Sequence, residues 1–213
     1  LVGIVTVDDA MTVLQDEATE DISIMAGVTP NEDSYFGTSV FQHAKNRALW
    51  LMLLMLSATV SGEILAHYES AMAVMPILIT FIPMLMGTSG NCGSQSSTMV
   101  IRGIAVGEIE FKEFFKVVFK EIRIAILVGV MLAVVNGIRI YIMYDQDIML
   151  AIAIGITMIA IVCMAKCIGC TLPLFAKKIG LDPALMAAPL ISTIMDTCTI
   201  LMYFAIITAF FKL

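Results

Sequence analysis

Asp196 is the only acidic or basic side chain between Asp182 and Lys212, and it lies within residues 189–211, an apolar run long enough to cross a bilayer. A carboxylate at membrane depth costs roughly 2.5–3.5 kcal/mol on insertion scales, so it implies a partner, a cation or a wet cavity. Ser192, Asp196, Thr199 and Tyr203 follow at i, i+4, i+7 and i+11, which makes one polar stripe on a helix. Two readings of the stripe stay open: a carboxyl that hydrogen-bonds neighbouring helices, or a cation site in a pore. Pro189 is expected to leave an upstream carbonyl without its helical donor, available to a cation.

A second polar locus lies in the sequence G-T-S-G-N-C-G-S-Q-S-S-T over residues 87–98, within 32 residues that carry no charge between Glu69 and Arg102. Pro83 is expected to bend this stretch. Its glycines, Gly90 among them, permit close approach of another backbone or a hydrated ion, and such a segment is tolerated at membrane depth only in protein or beside water. On a helix, Asn91, Gln95, Thr98 and Arg102 share a face. As a nucleotide loop the glycine run is a weak match, because no strand precedes the glycines and no Lys follows them in place. Both loci offer oxygen ligands and no His, which selects hard cations such as Mg²⁺, Ca²⁺ or Mn²⁺ over copper or zinc. One carboxylate per chain suits Mg²⁺ held through its waters, and a two-fold dimer would bring two Asp196 side chains to one axis.

The cysteines Cys163, Cys167 and Cys170 form C-x3-C-x2-C, a spacing seen in iron–sulfur enzymes. Here the trio starts inside an apolar span, so small, soft helix-packing residues are the better account, and no enzyme activity is expected. A non-transporting membrane anchor would leave Asp196 and the glycines of residues 87–98 unexplained.

The elements that must position these residues follow from composition. With 60% apolar residues, 14% charged and a mean hydropathy of +0.96, the chain reads as an all-α integral membrane protein. Five apolar stretches, 48–66, 70–101, 122–143, 148–165 and 189–211, give five transmembrane helices. Ten bases, Lys166 among them, fall on the N-terminal side of the bilayer and two, Arg139 and Lys212, on the other, so the N-terminus is cytoplasmic and the C-terminus outside. Residues 1–42 carry eight acids, including Glu32 and Asp33, and no Lys or Arg, an acidic arm that attracts cations and repels nucleic acid. The arm reads as a helix over 8–26, stopped at Gly27. Residues 108–121 read as an amphipathic helix in the cytoplasmic interface, with Phe111, Phe114, Phe115 and Val118 on its apolar side. Gly129, Ala133 and Gly137 form a small-residue face. The chain begins at Leu1 and reads as a fragment; its first residues lack the order of a secretory leader.

The 87–98 sequence followed by V-I-R at 100–102, L-D-P-A at 181–184, and P-L-I-S-T-I-M-D at 189–196 closely resemble the MgtE magnesium channel/transporter family. The resemblance covers essentially the whole chain. It implies a homodimer in the cell (inner or plasma) membrane, with an ion pore on the two-fold axis lined by the second and fifth spans. Residues 1–16 then resemble the closing strand and helix of a CBS domain, 17–46 an acidic connecting "plug" helix and linker, and 47–213 the pore domain. Asp196 matches the family's central Mg²⁺-binding carboxylate, and Ser192 lines the same site. Gly90, Asn91, Gln95, Thr98 and Thr199 are the expected pore-lining set. Asp182 matches a carboxylate at the cytoplasmic entrance that meets Mg²⁺ together with plug acids, here Glu17, Glu20 and Asp21. Mg²⁺ is then both the transported and the regulatory ion, with Mn²⁺, Co²⁺, Ni²⁺ or Ca²⁺ as further substrates. The alternative is a proton- or sodium-coupled divalent-cation carrier. The cytosolic N-domain and most of the CBS region of the family lie outside this sequence, so their sensor sites do not carry over.

Overall fold

A computed structural model describes residues 3–31, 34–144 and 147–212. Leu1 and Val2 of the expected CBS strand, and Glu32 and Asp33 of the acidic arm, lie outside the described residues. Among the described residues seven α-helices run in the order α1 (Val7–Met25), α2 (Val40–His67), α3 (Glu69–Val74), α4 (Ile82–Ala105), α5 (Phe114–Met143), α6 (Ile148–Lys178) and α7 (Ala188–Phe211). Short 3₁₀ turns fill Pro76–Phe81, Phe111–Glu113 and Pro183–Met186. No strand occurs among the described residues, so the chain is all-α.

Five helices, α2, α4, α5, α6 and α7, have 24 to 31 residues. At about 1.5 Å per residue the shortest is about 36 Å long, more than the roughly 30 Å hydrocarbon core. Three of them, α2, α6 and α7, are both long and apolar enough to cross a membrane.

Five of these helices, α1, α2, α4, α6 and α7, start where the sequence provides a cap or a proline. Thr6 and Asp9 form a capping box at α1, Ser39 caps α2 and Asp147 caps α6. Pro83 and Pro189 stand in the first turns of α4 and α7. A first-turn N–H has no helical acceptor, so proline loses nothing there. Pro83 therefore begins a helix rather than bending one, and the upstream residues form α3 and a 3₁₀ turn instead. By the same argument Pro189 deprives no helical carbonyl. Residues 108–121 also differ from expectation: no separate interfacial helix forms, and their last eight residues are the first two turns of α5. Phe111, Phe114, Val117 and Val118 pack on Val100, Ile104, Cys170 and Leu174, while Phe115 points out, 82% exposed. α1 is one helix through the expected boundary at residues 16 and 17, and no residue of it is buried.

The centre of the fold is α4, which packs on α6 and α7, while α5 lies along α6. Glycines let these backbones meet. A methyl on Gly169 would run into the Gly93 carbonyl oxygen, and one on Gly93 would stand 2.8 Å from Ile191 Cγ2. On the other side of α6, a Cβ on Gly129 would lie 3.2 Å from the Cα of Ile159. Of the small-residue face on α5, Gly129 meets backbone, Ala133 faces Gly155, and Gly137 has open space around it. α2 stands apart. Only Ser61 on it is buried, bonded to Thr197 at 2.7 Å, and Tyr68 at its end stacks on Phe204 with centroids 4.4 Å apart.

The crossing separates two outwardly similar substitutions. Gly169→Ala is expected to destabilise the bundle by about 1–3 kcal/mol through overpacking, whereas Gly137→Ala is neutral or stabilising by up to about 1 kcal/mol from helix propensity. Thermal unfolding in detergent would measure both, and equal midpoints would refute the backbone contact.

Candidate functional site

Asp196 sits eight residues into α7, about 12 Å from its start at helical rise. Its side chain is half-buried and, among the described residues, makes no hydrogen bond or ion pair. Ser192, one turn earlier, is also half-buried, and its hydroxyl makes no bond in the chain. It faces buried Gly90 of α4 so closely that a Cβ there would lie 3.3 Å from the Ser192 Oγ. The Asp196 carboxylate and the Ser192 hydroxyl thus stand one turn apart on α7 with their side-chain oxygens unused, the hydroxyl against a bare stretch of α4 backbone.

The rest of the expected stripe turns inward. Thr199 is 1% exposed and donates to Ser89 Oγ at 2.6 Å. Ser89 donates in turn to the Met86 carbonyl. Tyr203 is likewise buried and donates to the Leu78 carbonyl at 2.9 Å. These hydroxyls fasten α7 to α4 and to the turn before it, so Thr199 lies beneath the exposed seam rather than on it. On α4, Asn91, Gln95 and Thr98 are exposed and line a cavity whose wall includes no residue of α7. The structure therefore joins Gly90 with Ser192, leaves Asn91, Gln95 and Thr98 on a neighbouring face, and uses Thr199 for packing.

Lys166 is the residue that sequence reasoning misplaced. It belongs to no cytoplasmic loop: α6 continues to Lys178, and Lys166 lies inside it, 5% exposed. Removing it leaves nine bases on the N-terminal side against two, and the expected orientation rests on those. Its ammonium donates to Ser96 Oγ at 3.3 Å and stands 3.9 Å from Glu121, which accepts from Ser96 at 2.5 Å. An apolar run that ends at Ala165 conceals a buried ion pair, because its partner lies 45 residues upstream on α5. The signal available was Glu121 itself, an acid at the border of the third span.

The acidic arm approaches the other end of α7. α1 packs on the turn Pro183–Met186, whose N-cap Asp182 accepts from Ala184 N at 2.8 Å. The Ser97 hydroxyl of α4 donates to the Met186 carbonyl, tying that turn to the bundle. Burial raises the Asp21 carboxyl above its ordinary value, and the charges of Asp182 and then Glu17 push it further. Asp21, Glu17 and Asp182 therefore sense one another. Among the described residues no three His, Cys, Asp or Glu side chains gather into a ready metal cage, so Glu17, Glu20, Asp21 and Asp182 form none.

Comparison with known proteins follows the same elements. The family model MgtE, described as divalent cation transporter, matches residues 82–206, from the start of α4 into α7. The magnesium transporter MgtE of Thermus thermophilus is 34% identical over 97% of this chain and 45% of its own length. That of Bacillus subtilis is 34% identical over 99% of this chain and 46% of its own length. The Enterococcus faecalis protein of the same name is 32% identical over all of this chain and 46% of its own. The chain spans about half the length of these curated relatives.

The ion pair yields a test of its own. Lys166→Met leaves Glu121 buried and unpaired and is expected to cost about 3–5 kcal/mol, while Lys166→Met with Glu121→Leu recovers most of it. Chemical denaturation in detergent would show this, and a single variant as stable as the parent would refute the pairing.

Proposed function

The chain belongs to the MgtE family of divalent cation transporters, and we propose that it forms the membrane part of a Mg²⁺ channel that takes up magnesium across the cell membrane. The observation that carries this reading is Asp196, a half-buried carboxylate without a partner on an apolar spanning helix, beside Ser192 and Gly90. Charge without a partner at that depth calls for a cation or a second chain. A homodimer supplies both. Two Asp196 carboxylates across a two-fold axis offset the charge of one divalent ion, and Mg²⁺ keeps its waters, which Ser192 and the α4 backbone at Gly90 can accept from. In this reading all five long helices span the membrane, with the N-terminus cytoplasmic. Asn91, Gln95 and Thr98 line the approach on α4. Mn²⁺, Co²⁺, Ni²⁺ and Ca²⁺ are weaker candidates as substrates.

The docking of α1 beside Asp182 supports a regulatory role for the same ion. Asp21, Glu17, Glu20 and Asp182 repel one another at neutral pH, and cytosolic Mg²⁺ would relieve that repulsion and favour the docked helix. The closed state then grows as the ion accumulates, which is feedback by population shift.

Two measurements test these proposals. Mg²⁺ uptake into proteoliposomes is expected to fall at least about tenfold in Asp196→Ala and Asp196→Asn at equal density, with the fold retained; undiminished flux would remove the ion from Asp196. Current reversing at the Mg²⁺ equilibrium potential, whatever the proton or sodium gradient, identifies a channel, and a shifted reversal identifies a coupled carrier.

The arm has a pH signature. Because Asp21 is raised in the docked state, its contribution to docking is fullest below the ordinary carboxylate range and is lost as pH rises through the raised value. Spin labels on α1 and the 183–186 turn should therefore read closer at acidic pH, and at neutral pH on adding millimolar Mg²⁺. Asp21→Asn should blunt both responses; a variant that responds like the parent would contradict the assignment.

A further inference from the structure

A cavity of about 990 Å³ lies between α4, the residues that follow it and the first turns of α5, with Lys166 of α6 at its floor. None of its lining comes from α7, and Asn91, Gln95 and Thr98 border it, so the cleft adjoins the ion approach proposed above without including the Asp196 seam. Val100, Ile109, Val117 and Ile124 make an apolar wall. The charged lining is four bases, Arg102, Lys116, Lys120 and Lys166, against three acids, Glu108, Glu113 and Glu121, a net of one positive charge. Internal pairing sharpens the balance. Lys116 bonds Glu113 at 3.1 Å, and Lys166 faces Glu121. Arg102 and Lys120 make no hydrogen bond or ion pair, and only Glu108 remains to oppose them.

The floor has unused capacity as well. An ammonium carries three donors, and that of Lys166 makes one hydrogen bond, to Ser96. It is 5% exposed and still borders the cavity. The position along the helices is that of a membrane–water boundary. Phe115 and Phe119 on the first turns of α5 are 82% and 62% exposed, and Arg123 lies over the Phe119 ring at 4.9 Å. Aromatic rings and bases at one level mark the headgroup layer.

A ligand for this cleft must carry negative charge beside an apolar body and arrive from the bilayer. We infer that the cleft binds an anionic glycerophospholipid, its phosphate held by Arg102 and Lys120 and its glycerol and upper acyl region against the apolar wall. Lys166 supplies further donors from below. Basic pockets between membrane helices recognise such headgroups by this chemistry. The inference rests on the proposed reading that α4 and α5 lie in a bilayer, and lipid retention is read without ion flux, so its failure is distinguishable from a failure of ion binding at Asp196. A lipid wedged there would brace α4 against α5, which otherwise meet through α6, the Ser96–Glu121 hydrogen bond and the cluster at their ends.

Native mass spectrometry of the full chain, purified in detergent and offered palmitoyl-oleoyl phosphatidylglycerol or the matching phosphatidylcholine, tests the site. Retention of phosphatidylglycerol over phosphatidylcholine by roughly tenfold is expected, and R102Q/K120Q should abolish that preference. K112Q is the control. Lys112 is exposed, pairs with Glu110 and does not border the cleft, so that variant should retain lipid as the parent does. R102Q and K120Q alone should each lose part of the preference, which keeps the test informative if the double variant is unstable. Equal retention of the two lipids, or full phosphatidylglycerol binding in R102Q/K120Q, would overturn the inference. So would displacement of the lipid by millimolar inorganic phosphate, which would make the cleft a site for a soluble anion.

Discussion

The approach of α4 to α6 at Gly93 and Gly169 sets the register on which the other polar contacts depend. In lipid there is no hydrophobic gain from bringing apolar helices together, so close packing and interhelical hydrogen bonds hold them. Gly93 and Gly169 allow backbone to touch backbone, and Gly90 repeats the arrangement against Ser192 of α7. With the register fixed, Ser89 meets Thr199, Ser96 meets Glu121 and Lys166, and Ser97 meets the carbonyl of Met186. Residues 89–97, about two and a half turns of α4, are thereby committed to four neighbours: α5, α6, α7 and the Pro183–Met186 turn. Bulk at any of these small residues would shift the others.

Lys166 and Asp196 both lie within the bundle, and they differ in how their charges are met. Lys166 is nearly enclosed and is matched by Glu121 through Ser96, so its charge is answered within the chain. Such a pair is conditionally neutral: harmless when intact and costly when halved. Asp196 is less enclosed and has nothing opposite it. One charge is answered inside the chain and the other is left open, which is the contrast on which the proposed function rests.

The long apolar stretches were legible because a bilayer imposes a length and a polarity on any helix that crosses it. The stripe through Ser192 and Asp196 was legible for the same reason, since α7 carries no other charge within the bundle. The division of that stripe was not. Periodicity places Thr199 and Tyr203 on Asp196's face, but it cannot tell which turn meets Ser89 or the Leu78 carbonyl across an interface. Lys166 failed for a related reason: a charge at the end of an apolar run reads as a loop unless its partner on another helix is known. Proline was misread at two positions. Pro83 and Pro189 each look like a kink within an apolar run, yet both fall in a first turn, where the missing N–H is of no consequence. The family resemblance reached the family that the comparisons show. The ion pair beneath the cleft came from the coordinates alone.

The uneven apolarity of the helices bears on how the chain is made. α2 is apolar almost all round and touches little besides α7, so a translocon can release it into lipid as soon as it emerges. α4 is different: its glycines and hydroxyls keep it out of the set apolar enough to cross unaided, although it becomes the hub of the bundle. The helices that cover it, α6 and α7, are synthesised later. The middle of the polypeptide must therefore wait, shielded by the insertion machinery or lodged at the bilayer surface, until the last two helices arrive to receive it.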